Sequence, residues 1–217
     1  MSKMLLLDFP GLISSLIIGA VVLYFSGSLW FQNFVLLFSF LILSVFVTRW
    51  RHEEKRERGL YEHERGWKNV LSNGGIPALC CILYYFYPSP AWISAYVGSL
   101  AAAISDKFGS ELGVLSGKPI NLRNLKPTKP GTSGAMSGLG TLMSFSGALI
   151  LALVAYVLFS FDPVHIFAIA IIGFLGGFVD TLFGIFEEMG LGTKSTTNMI
   201  CTIVGAVLGY FFVTVIV

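Results

Sequence analysis

Apolar runs close to the roughly 20 residues needed to cross a bilayer recur along the chain. They occupy residues 10–26, 29–48, 67–87, 135–160, 163–186 and 197–217. A shorter run, 90–105, follows the Pro88-Ser89-Pro90 turn and reaches bilayer length only if its helix continues into the polar segment behind it. The pattern predicts an all-α, polytopic membrane protein with about seven transmembrane helices, a single integral membrane domain over residues 1–217. The first run follows Lys3, but no small-x-small cleavage pattern comes after Tyr24, so a retained helix is expected.

The polar segments orient the chain. All 14 Lys and Arg residues lie at Lys3, between Arg49 and Lys68, between Lys107 and Lys129, or at Lys194. With seven crossings these regions share one face, and the opposite turns at 26–28, 88–90 and 161–163 carry none. The positive-inside rule then places the N-terminus in the cytoplasm and the C-terminus outside. Within 49–66, 11 of 18 residues are charged, with mixed signs, and Glu54 and Arg58 stand four apart. A solvated cytoplasmic hairpin is expected, in which a member such as Lys55 is replaceable by alanine with little effect. The alternative is a basic rim that gathers anionic ligands or lipid headgroups.

Composition agrees with a lipid-bound chain. Of 217 residues 55% are hydrophobic and 12% charged, about half the charge of a soluble domain. A net charge of +2 is too small to argue for nucleic acid as a partner. Cys80, Cys81 and Cys201 lie in apolar runs without metal-ligand spacing and are expected to be buried, inert thiols. His52, His63 and His165 form no cluster, and His52 and His63 are expected to be solvated.

The candidate chemistry gathers on the cytoplasmic side. Residues 106–134 read as a polyphosphate-binding loop. Asp106 ends its apolar run, and Gly109, Gly113 and Gly117 then recur every four residues beside Ser110. Such a stripe packs helices, but Asp106 and Glu111 change its meaning. Carboxylates beside bare backbone suit a polyphosphate with Mg²⁺. The basic residues Lys118, Arg123, Lys126 and Lys129 follow, then Gly131, Thr132, Ser133 and Gly134 where a new helix is expected. Amides at a glycine-rich helix start, with hydroxyls and a lysine, make an anion cradle. The order of a Walker motif is not present. Farther on, Asp180 sits in an apolar run among Gly176, Gly177 and Gly184, and shares a helical face with Gly184 and Glu187. Lys194, Ser195, Thr196 and Asn198 open the last run, as phosphate ligands or as ordinary helix caps.

Two resemblances follow from these motifs. The D-x-x-G-x-x-x-G-x-x-x-G-K pattern from Asp106 to Lys118, with P-x-K-x-G-T from Pro127 to Thr132, resembles CTP-dependent polyprenol (dolichol and phytol) kinases. WKNVLSNGG (67–75), SDKFGSELG (105–113), KPGTSGA (129–135), GGFVDTLFG (176–184) and TNM (197–199), in that order, are similar to the phytyl-phosphate kinase family, which includes vertebrate transmembrane protein nineteen. This second match spans Trp67 to Gly205, although Lys107 and Phe108 depart from the family pattern. The resemblance implies a Mg²⁺-dependent kinase that moves a phosphoryl group from a nucleoside triphosphate, CTP or another, to an isoprenoid monophosphate. It implies that Asp106, Glu111 and Asp180 hold the metal and that Lys118, Lys129, Gly131 and Thr132 hold phosphates. Asn73 and Asn198 match family asparagines without an assigned role. Asp106, Lys129 and Asp180 are the expected catalytic set. Gly109, Ser110, Gly113, Gly117, Lys118, Gly131, Thr132, Ser133, Lys194 and Asn198 are expected around the nucleotide, with Glu187 nearby. The expected partners are the nucleotide, the isoprenoid phosphate and the bilayer, with a homo-oligomer left open. A prenol kinase or CDP-lipid synthase is the first alternative, although the longer D-R-x-D element of such synthases is missing. A transporter or channel is the second, although no internal repeat is evident.

Overall fold

The computed structural model describes residues 7–60 and 66–216. Lys3, His63 and part of the 49–66 hairpin lie outside the described residues. The elements are α1 (Phe9–Phe25), α2 (Trp30–Arg49), α3 (His52–Glu57), α4 (Trp67–Phe86), α5 (Pro90–Gly113), β1 (Ile120–Asn121), β2 (Lys126–Pro127), β3 (Ala135–Met136), α6 (Gly138–Phe159), α7 (Pro163–Glu188) and α8 (Lys194–Ile216). Helix starts follow capping chemistry. Asp8 accepts from the Gly11 amide at 2.7 Å, Ser137 from Gly140 at 3.0 Å, and prolines open the first turns of α1, α5 and α7.

The chain is a mostly helical integral membrane protein. Among the described residues four segments carry the full length and apolarity of a span: Gly27–Arg49, Gly138–Phe159, Pro163–Glu188 and Lys194–Phe212. The long helix α5 is less apolar for a structural reason. Helix α5 packs against α2, α4, α6, α7 and α8, and every residue from Ser94 to Phe108 is buried. A helix wrapped in protein meets no lipid, so small and polar residues serve it better than large apolar ones. Its Ala, Ser and Gly residues let neighbours approach to backbone contact: a Cβ at Gly98 would collide with the carbonyl of Gly205 on α8.

Three expectations change. Helix α5 does continue past 105, to Gly113, so Asp106 lies within the helix rather than at its end. The segment behind it is not wholly helix or loop, because β1, β2 and β3 form a small antiparallel sheet in the order β2-β1-β3. Helix α6 therefore starts at Gly138, not 135, beyond the glycine-rich turn.

Lys55 is the fourth correction. It is fully buried, not solvated, and donates to Glu111 Oε2 at 2.8 Å. An ammonium withdrawn from water is costly unless paired, and this one is paired. Glu54 and Arg58, four apart, are in contact at 2.6 Å, as their spacing predicts. The three cysteines are free and buried, again as expected.

Candidate functional site

A cavity of about 550 Å³ lies among α5, α6, α7, the start of α8 and the turn leading into β3. Gly59 and Leu60 of the charged hairpin also line it. Along α7 its wall runs from Glu187 to Phe174, about 20 Å at 1.5 Å per residue. The wall is carboxylate and hydroxyl at the Glu187 end and aromatic at the other, with Phe174 and Phe178.

Asp106 of α5 and Asp180 of α7 meet near the middle of this wall. Both are buried, at 7% and 4% exposure. Gly177 explains the encounter. A Cβ there would stand 2.7 Å from Ser105 Oγ and 3.0 Å from the Asp106 amide. The two helices therefore touch at this level, and Asp180, three residues on, faces Asp106. Lys194 Nζ bridges them, donating to Asp180 Oδ2 at 2.7 Å and reaching Asp106 Oδ1 at 3.5 Å. Two buried carboxylates in contact with one ammonium form a charge-assisted network.

A second layer supports the first. With its amide nitrogen turned toward its acceptors, Asn198 donates to Asp180 Oδ1 at 3.3 Å and to the Lys194 carbonyl at 3.0 Å. In the same orientation its oxygen accepts from Asn73 Nδ2 at 3.2 Å. Asn73 and Asn198 therefore orient Asp180 from outside the cavity wall.

The turn from Lys129 to Gly134 closes another side. Gly134 has a left-handed φ of +70°, and a Cβ on it would lie 2.8 Å from the Ile185 amide nitrogen. Gly184 faces it reciprocally, so the turn rests on the α7 backbone where no side chain fits. The turn is not the helix-start cradle expected. The Thr132 amide and hydroxyl both donate to the Lys129 carbonyl, at 3.3 and 2.8 Å. The α6 N-terminus lies beyond β3 and is capped by Ser137.

Of the expected residues, Asp106, Gly109, Ser110, Glu111, Gly113, Gly131, Thr132, Ser133, Asp180, Glu187 and Lys194 line this cavity. Gly117, Lys118 and Lys129 are exposed and form no part of its wall. The three-carboxylate metal set is also corrected. Among the described residues no three candidate ligands converge, because Glu111 is engaged by Thr48 at 2.8 Å, Lys55 at 2.8 Å and Lys107 at 3.4 Å. The oxygen-only pair Asp106 and Asp180 still suits Mg²⁺. That ion commonly takes one or two protein carboxylates and completes its shell with phosphate oxygens and water.

Ser137, the N-cap of α6, and Thr141 and Ser144 within it also line the cavity with Gly140, outside the expected set. Their spacing of four and three residues in an apolar run is a polar helical stripe and was a usable signal. Nothing local marked Phe174 and Phe178, because aromatic residues are abundant throughout this chain.

Residues 1–213 match the family described as integral membrane protein DUF92. The chain belongs to the DUF92 family. An uncharacterized membrane protein of Methanocaldococcus jannaschii is 41% identical over 205 residues, covering 94% of this chain and 84% of that protein. One from Synechocystis is 33% identical over 137 residues, 60% of this chain and 53% of its own length. The Arabidopsis thaliana chloroplastic protein VTE6 is 23% identical over 212 residues, 94% of this chain and 63% of VTE6. No solved structure matches the chain.

Proposed function

We propose that this DUF92 protein is a prenyl-phosphate kinase, transferring a phosphoryl group from a nucleoside triphosphate to an isoprenoid monophosphate. The observation that carries the reading is the cavity's polarity. It joins a charged, hydroxyl-lined end to an aromatic end, with Asp106, Lys194 and Asp180 between them. An amphiphile with an anionic head fits such a shape. The motif resemblance to phytyl-phosphate kinases supports the same class of acceptor.

The chemistry asks little of a general base. A phosphate oxygen is already nucleophilic at neutral pH, so positioning and charge neutralisation carry the step. No histidine lines the cavity among the described residues. Asp106 and Asp180 would hold Mg²⁺, which when bound neutralises charge on the phosphates. Lys194 offers a positive charge that can pass from the carboxylates to a phosphate. Thr132 and Ser133 offer hydroxyls at the polar end. Asn73 and Asn198 keep Asp180 in one orientation.

Purified protein incubated with labelled nucleoside triphosphate, Mg²⁺ and phytyl or geranylgeranyl phosphate tests the reading. Label in the lipid diphosphate supports it. Nucleotidyl transfer to the lipid would favour the CDP-lipid alternative, and no transfer at all would overturn the kinase reading.

Lys194→Met should lower turnover about a hundredfold, as expected on losing the charge that bridges two buried carboxylates and meets the transferring group. Lys129→Ala, at an exposed position outside the wall, should cost no more than about tenfold. Equal effects in steady-state kinetics would remove Lys194 from its assigned role.

We also place the charged hairpin and the cavity's polar end on the cytoplasmic side, with seven crossings made by α1, α2, α4, α5, α6, α7 and α8. The Lys and Arg asymmetry supports this. Single cysteines introduced in the 118–128 segment should react with an impermeant maleimide only from the cytoplasm, and one at position 89 only from outside. Labelling of both from one side would refute the arrangement.

A further inference from the structure

The buried pair formed by Lys55 and Glu111 joins three parts of the molecule. Lys55 is on α3 in the charged hairpin, and Glu111 is in the last turn of α5. Lys55 Nζ also donates to the carbonyls of Val47 at 3.1 Å and Thr48 at 2.7 Å. These carbonyls belong to the end of α2, where the helix leaves its own acceptors unsatisfied. Thr48 Oγ1 in turn donates to Glu111 Oε1 at 2.8 Å.

This arrangement folds the hairpin back over the cavity. Arg51 takes a left-handed conformation, φ 51°, that reverses the chain between α2 and α3. Five residues past Lys55, Leu60 donates its amide to the Lys55 carbonyl at 2.8 Å. Its side chain lies against the 129–134 turn, with Cδ2 only 3.1 Å from where a Gly131 Cβ would stand. Gly59, Leu60 and Glu111 all line the cavity. Among the described residues of the hairpin, Arg51, Glu53, Arg56, Glu57 and Arg58 are exposed, so a buried ammonium is out of character for it. Charged side chains are rarely buried unless their pairing serves the structure or the site.

We propose that Lys55 and Glu111 are positioning residues for the phosphate end of the cavity. Their pair pins the 50–60 hairpin and holds Leu60 against the Gly131 turn. Neither residue is asked to touch the reacting atoms. The pinning stands on the contacts alone, while its consequence for turnover rests on the kinase reading.

The test reads the two separately. Leu60→Cys introduces a thiol into a protein whose own three cysteines are buried, so an impermeant maleimide reports whether this position opens. In membranes, Lys55→Met or Glu111→Gln added to Leu60→Cys should speed labelling about tenfold over Leu60→Cys alone, the result of a tenfold shift in a local opening equilibrium. In the native-Leu60 background, the same two substitutions should raise the KM for the nucleotide about tenfold while kcat stays within about threefold, since ordering of the site is lost and not its chemistry. Helix content by circular dichroism and the detergent melting midpoint check folding. Glu111→Gln is nearly isosteric and still accepts from Thr48, so it is the variant expected to fold if Lys55→Met does not.

Unchanged labelling in a folded variant overturns the proposal, and so does a fall in kcat with KM unmoved. Failure of both variants to fold also overturns it, by making the pair a stability element. Faster labelling in a protein that transfers no phosphoryl group would uphold the pinning and remove only the kinase reading.

Discussion

Asp180→Asn should leave the protein folded and monodisperse in detergent but lower phosphoryl transfer by at least about a hundredfold, the range seen when one preorganised electrostatic contact is removed. Folding should survive because asparagine keeps the volume and its amide oxygen can still accept from Lys194. Asp106 would remain within 3.5 Å of the same ammonium. Activity should fail because a neutral amide oxygen is a poor ligand for a hard divalent cation. Raised Mg²⁺ should rescue the variant poorly. A purely structural ion pair makes a different forecast. In that case Asp180→Asn would keep transfer near normal, since Lys194 would still be paired with Asp106. Near-normal transfer by Asp180→Asn would therefore take Asp180 out of the site.

Gly205→Leu should have the largest effect on stability. A Cβ at Gly205 would collide with the Gly98 carbonyl and come within 2.7 Å of the Ala102 Cβ. The contact is between backbones, so no rotamer change relieves it, and α5 and α8 must separate. Overpacking of this kind costs about 3 kcal/mol or more. Helix α5 carries Asp106 and α8 carries Lys194, so transfer should fall with stability. Gly19→Ala is the control. Its Cβ would meet nothing within 4 Å, and it should stay within about 1 kcal/mol of the parent. A melting midpoint for Gly205→Leu equal to that of Gly19→Ala would contradict the close α5–α8 packing.

The prediction about Lys55 reversed once the fold was visible. In the sequence Lys55 is one charge among eleven in the 49–66 segment, and its neighbours Arg56 and Arg58 are exposed as expected. Its burial depends on Arg51 turning the chain and on Glu111, 56 residues away, arriving opposite. Charge density along a chain predicts solvation on average but not for a single residue with a distant partner.

The sequence by itself determined the membrane class, the runs that became the long helices, and that Asp106 and Asp180 are charges set against apolar runs. Each of these is a local signal. Apolar length is set by bilayer thickness, and a charge in an apolar run stands out because lipid cannot solvate it. Only the tertiary structure decided which charges meet. Gly177 brings α7 onto α5 so that Asp180 faces Asp106, Gly134 and Gly184 lay the turn on α7, and Glu111 pairs with Lys55 instead of joining a metal set. It also left Lys118 and Lys129 outside the cavity, because β1 and β2 fold that basic loop into a small sheet. Helical periodicity reports which residues share a face. Which faces meet depends on close packing between segments far apart in the chain.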